Sequence, residues 1–154
     1  MGIRTQSSFG ESKKELTIVV AHHRIRYMEN SDKLTLKKLI ESFTRQLSLY
    51  SELRDNVRGL MSRLVLSRGD VSGLVGGLEA KTRLLEEIQK ERSSVAREID
   101  LWQSRKELYS GSSEADQLEE LLGEMERVIK EFLDGEDKLK GYLEKLYKKN
   151  NGDG

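Results

Sequence analysis

His22 and His23 are the only imidazoles in the chain. On an extended backbone, neighbouring side chains point to opposite faces, so this pair does not chelate one metal ion without a turn. With no other histidine, the usual general base and the Ser-His-Asp arrangement are both missing. The carboxylate pairs Glu86-Glu87 and Glu119-Glu120 fall in helical pattern, where adjacent side chains diverge by about 100° and do not share a proton or a metal. The glycine-rich stretch 73–77 lacks both the Gly-Lys-Ser/Thr sequel and the preceding strand of a phosphate cradle. No cysteine is present to serve as nucleophile, thiolate ligand or disulfide partner. The residues therefore predict a protein that is not an enzyme, with no catalytic, cofactor-binding or metal-binding positions, acting through its surfaces.

Those surfaces must be carried by helices. The chain has no proline and is 35% charged against 36% apolar, a composition that suits long unkinked helices better than a thick globular core. Leu36, Leu39, Ile40, Phe43, Leu47, Tyr50, Leu53, Val57, Leu60, Met61 and Leu64 recur in steps of three and four, which predicts a first helix from Leu34 to about Ser67. Gly69 can take the left-handed conformation that ends it, and Asp70 can cap the next. A second apolar stripe predicts a helix from Val71 to about Leu108, with its seam interrupted by Lys81 and Arg92. Residues 110–113 make the next turn, with Ser113 and Asp116 placed like a capping box. The third stripe, from Leu118 to Tyr147, is the most regular, since Leu118, Met125, Phe132, Leu139 and Leu146 recur every seven residues.

The expected fold is all-α, an elongated antiparallel three-helix bundle or helical hairpin with coiled-coil-like packing. Residues 34–149 form its body. Residues 1–33 are read as a basic N-terminal arm, of which 1–27 share none of the periodicity, with Glu29-Asn30-Ser31-Asp32 as a cap cluster opening the first helix. Residues 150–154 are a disordered tail. Acid-before-base pairs at four-residue spacing, such as Glu41-Arg45, Glu86-Lys90, Glu136-Lys140 and Glu144-Lys148, mark the solvated faces. Glycines at 59, 73, 76, 77, 123, 135 and 141 oppose helix formation, each by about 1 kcal/mol relative to alanine, and predict softness or close helix crossings.

Twenty-seven basic and twenty-seven acidic side chains leave no net charge, which gives no reason to expect nucleic acid as partner. The longest apolar run, Leu16 to Ala21, is far short of the roughly 20 residues that cross a bilayer. A reducing, cytoplasmic setting is expected, without membrane insertion. The third stripe is wider than a two-helix seam requires: either its helix touches both others in a three-helix bundle, or part of the stripe is kept for a partner. The residues chosen for that contact are Met125, Phe132, Leu139, Tyr142, Leu143, Leu146 and Tyr147.

The segment Leu60-Met61-Ser62-Arg63-Leu64-Val65-Leu66-Ser67-Arg68-Gly69-Asp70-Val71-Ser72-Gly73-Leu74, followed by Leu78-Glu79-Ala80-Lys81-Thr82-Arg83-Leu84-Leu85-Glu86-Glu87-Ile88, resembles the FlgN family of flagellar export chaperones. In that family a long first helix ends in a Gly-Asp turn and a second opens with a Leu-Glu-x-Lys-x-x-Leu-Leu-type pattern. The resemblance spans about residues 34–149. It implies a cytoplasmic chaperone that binds amphipathic terminal segments of hook-associated, hook-filament junction proteins. Such a chaperone prevents their premature assembly and delivers them to the type III export gate, as a monomer or weak homodimer. The glycines, the basic arm and the polar breaks at Lys81 and Arg92 depart from the family's pattern. The rival reading is a structural coiled-coil scaffold or spacer whose stripes are satisfied by self-association.

Overall fold

The computed structural model describes the backbone of residues 2–152 and the side chains of residues 30–151. Five helices follow in order: α1 (Gly2–Leu66), α2 (Leu74–Ser94), α3 (Ala96–Ser104), α4 (Lys106–Tyr109) and α5 (Ser113–Gly152). The fold is the expected all-α bundle of long helices. The chain runs up α1, back down α2, α3 and α4 as one interrupted rod, and up again along α5. No helix among the described residues is long and apolar enough to cross a membrane.

Of the proposed arm, residues 1–29, with His22 and His23, have side chains outside the described part of the structure. Residues 30–33 are described, and they lie inside α1 instead of capping it. The reason lies in Asp32. Its carboxylate is buried and accepts hydrogen bonds from the Tyr109 hydroxyl at 2.9 Å and from Arg105 at 3.5 Å, so a residue suited to a helix start is held within the helix by tertiary partners.

Both turns keep their expected places, and Gly69 ends α1 as expected, but the helices that follow are not capped by the expected residues. Gly69 adopts φ +92°, and its N–H donates to the Leu64 carbonyl at 2.8 Å, closing α1 through the left-handed conformation that favours glycine. Asp70 caps no helix. It accepts the Ser72 N–H at 3.0 Å in a local turn, and α2 begins only at Leu74. At the second turn the cap is Ser112, one residue earlier than expected, whose hydroxyl accepts the Ala115 N–H at 3.1 Å.

The predicted second helix is interrupted twice. Val95 and Arg105 leave helical geometry, at φ −118° with ψ 16° and 20°, and divide the rod into α2, α3 and α4. Each break returns the rod to the same inner line. Ile88, Val95, Trp102 and Tyr109 lie one heptad apart and are all buried, which an unbroken helix of 3.6 residues per turn would let drift off the seam. Lys81 belongs to that line, whereas Arg92 lies outside it in solvent.

The core is continuous from Leu36 to Leu64 of α1 and from Leu118 to Leu139 of α5, with Ile88, Val95 and Trp102 between them. Midway, buried Gln46 donates to buried Ser42 at 3.1 Å, so these two polar side chains partner each other. Ion pairs between helices fix the register. Lys38 meets Glu98 at 2.7 Å and Arg45 meets Glu91 at 2.8 Å, a heptad step on α1 matched by a heptad step backwards on the second rod. Arg54 and Arg58 both reach Glu131 of α5 at 3.0 Å. Arg45 and Glu136, both expected to pair within their own helices, instead reach across to another helix. Where α1 crosses α2, a Cβ on Gly77 would collide with the Leu60 side chain, so this glycine permits the close approach.

Candidate apolar groove between two helices

α1 is the shared wall of the bundle: α2 and α5 each pack along it, while α2 and α5 hardly approach one another. Between them lies a groove of about 820 Å³, bounded by Leu78 and Lys81 of α2 and by Glu136, Leu139, Lys140, Leu143, Tyr147 and neighbouring charged residues of α5. Lys81 Nζ meets Glu136 Oε1 across it. A charged residue in the inner line of α2 is thus accommodated by a carboxylate facing it from α5, and the polar break in the seam is a cross-link between the groove's walls.

The seven residues chosen from sequence divide along α5. Met125, Phe132 and Leu139 are core, each 7% exposed or less, because the heptad column they share with Leu118 lies on the face of α5 that packs along α1. They are occupied by the bundle itself, and the breadth of the third stripe is partly explained by that packing. Tyr142 and Leu143 are half-buried against the core. Leu146 is half-buried, and it is the nearest contact a Cβ on Gly69 would meet. Tyr147 is 70% exposed. Leu139, Leu143 and Tyr147 line the groove.

Sequence reasoning missed the opposite wall. The contact residues chosen from sequence all lie on the third stripe, yet Val71, Val75, Leu78 and Leu85 of the second are exposed, from 42% at Leu85 to 64% at Val75. Its inward-facing apolar residues are Leu74, Leu84 and Ile88, with Gly77 against Leu60. The signal was present: these apolar residues fill two helical columns, and a helix contacting one neighbour needs a single narrow stripe. Val65 and Leu66 at the end of α1 are also exposed, at 50% and 84%, so the apolar surface extends to the α1–α2 turn.

Perturbed ionisable groups lie elsewhere and serve the packing. The Arg45 hydrogen bond holds Glu91 below the usual carboxylate range, and Lys38 does the same for Glu98. Burial, helped by the hydrogen bond to Asp32, pushes the Tyr109 hydroxyl up to about 12. None of these groups opens into the groove. The groove can exclude water from apolar side chains and offer charges at its rims, features that suit docking of an amphipathic helix.

No protein family, no characterised protein and no solved structure matches this chain.

Proposed function

We propose that the protein is a cytoplasmic export chaperone of the FlgN type. It binds the amphipathic terminal segments of hook-associated proteins, prevents their premature assembly and delivers them to the type III export apparatus. The observation that supports this reading is the groove itself, with Leu78, Leu143 and Tyr147 on its walls although the core is already filled. Terminal segments of filament subunits bury their apolar faces only on assembly, and a helical groove can cover such a face beforehand in a helix-in-groove mode. Release at the export gate requires reversibility, which the cost of ordering the client supplies.

The test is isothermal titration of the full chain with purified terminal segments of hook-associated proteins. Binding that is lost in Leu143→Asp, Tyr147→Asp, with the melting curve retained, supports the reading. A stable self-assembled oligomer that ignores those segments would favour the coiled-coil scaffold instead.

A further inference from the structure

The two walls of the groove match layer by layer. On α2 and the turn before it, Val71, Val75, Leu78, Thr82, Leu85 and Gln89 follow one another in steps of four and three, the spacing of a coiled-coil seam. All six are exposed. On α5, Ile129, Leu133, Glu136, Lys140, Leu143 and Tyr147 repeat the same steps, with Leu133 and Tyr147 exposed. The Lys81–Glu136 contact sets the antiparallel register. Counted outward from it, each seam residue of α2 lies within one residue, about 1.5 Å of rise, of a seam residue on α5: Thr82 beside Glu136, Leu78 beside Lys140, Val75 beside Leu143 and Val71 beside Tyr147. In the other direction Leu85 lies beside Leu133, and Gln89 beside Ile129.

Two matched seams on neighbouring helices define the position of a fourth helix: the α2 seam is exposed throughout, and on α5 Ile129 and Leu143 rest one side on the core while Leu133, Lys140 and Tyr147 stay open. The columns beside the seams are acidic over most of their length: Glu79 and Glu86 on α2, Asp137 and Glu144 on α5, with Lys130 as the one base in these columns. None of these four carboxylates forms an ion pair among the described residues. Arg83 and Lys148 lie one column further out, and Lys140 is the one base within a seam, where its aliphatic stem can cover the layer while its ammonium reaches water. From Val71 to Gln89 the seam is roughly 27 Å long at 1.5 Å per residue.

We infer that the α2–α5 groove is a fourth-helix site for a partner helix of about 18 residues, with an aliphatic heptad seam flanked by Lys and Arg. The four rim carboxylates would face those cations, and a partner with acidic flanks would meet like charge along both edges. The inference deepens the docking reading above, but it fixes the partner's chemistry whether or not the partner is an export client.

The test titrates the full-length chain with synthetic 18-residue helical peptides that share an aliphatic seam and carry either Lys or Glu flanks, read by fluorescence anisotropy. The Lys-flanked peptide binds at least about tenfold more tightly, and the quadruple variant Glu79→Lys, Glu86→Lys, Asp137→Lys, Glu144→Lys reverses the preference. Val75→Asp with Leu143→Asp weakens binding by more than about tenfold while buried Trp102 keeps its native emission. Equal affinity for both peptides, a preference unaffected by the charge reversal, or a chain that dimerises through this groove would overturn the inference. Selective peptide binding without capture of hook-associated segments overturns only the export reading.

Discussion

Gly76 and Gly77 are neighbours in sequence, yet the same substitution at each should shift stability in opposite directions. At Gly76 a Cβ meets nothing within 4 Å, so alanine brings only its better helix propensity, about 0.5 to 1 kcal/mol of stabilisation. At Gly77 the new methyl group collides with Leu60, which is 2% exposed and hemmed in by the core. Overpacking of this kind costs about 1 to 3 kcal/mol, and the same propensity gain offsets only part of it, leaving a net loss of up to about 2 kcal/mol. Urea unfolding followed by the emission of Trp102, the single tryptophan, reads both midpoints in one assay. Gly76→Ala moves the midpoint up and Gly77→Ala moves it down with an unchanged slope. Equal stabilisation by both substitutions would refute the close α1–α2 crossing on which the bundle's register depends.

Three further outcomes follow from the same geometry. Leu139→Asp places an unpaired carboxylate in the core and should cost more than about 3 kcal/mol, collapsing far-UV circular dichroism, whereas Tyr147→Asp leaves the melt unchanged. Glu91 and Glu98 have depressed folded-state pKa values through Arg45 and Lys38. The stability they contribute is therefore present above the unfolded carboxylate pKa, near 4.5, and is lost as pH falls through their folded values. Urea midpoints measured from pH 7 to pH 3 should decline in that acid limb, less steeply in Glu91→Gln, Glu98→Gln. Tyr109 has the opposite sign: its folded pKa is raised from 10.0 to about 12. Stability is then full below 10 and falls as pH rises toward 12, a loss absent from Tyr109→Phe in alkaline unfolding.

The helices were legible because their apolar spacing is local. The heptad from Leu118 to Leu139 and the stripe from Leu36 to Leu64 each predict a buried face, and those faces are buried. Cap positions were less legible. Asp32 has the composition of a helix start, and only the Tyr109 hydroxyl, distant in sequence, explains why α1 continues through it. The breaks at Val95 and Arg105 carry no proline or glycine, and they are explained by the need to return Trp102 and Tyr109 to the inner line.

The site was half legible for a similar reason. Periodicity identifies apolar columns but not which neighbour covers them. On α5 it selected Leu139, Leu143 and Tyr147, which line the groove, together with Met125 and Phe132, which are buried in the core. On α2 it merged the inner line of Leu74, Leu84 and Ile88 with the outer line of Val71, Val75 and Leu78, and so hid one of the two walls. Glycine at 77 was the clue to the inner line, since a residue without a side chain sits where another helix comes closest.

Amide hydrogen exchange of the full chain, with and without a bound terminal segment of a hook-associated protein, tests the central claim most directly. The account predicts that new protection appears together in residues 71–89 and 129–147, while the α1 amides facing the core, already slow to exchange, change little. Protection confined to α1, or no change on adding the segment, would contradict it.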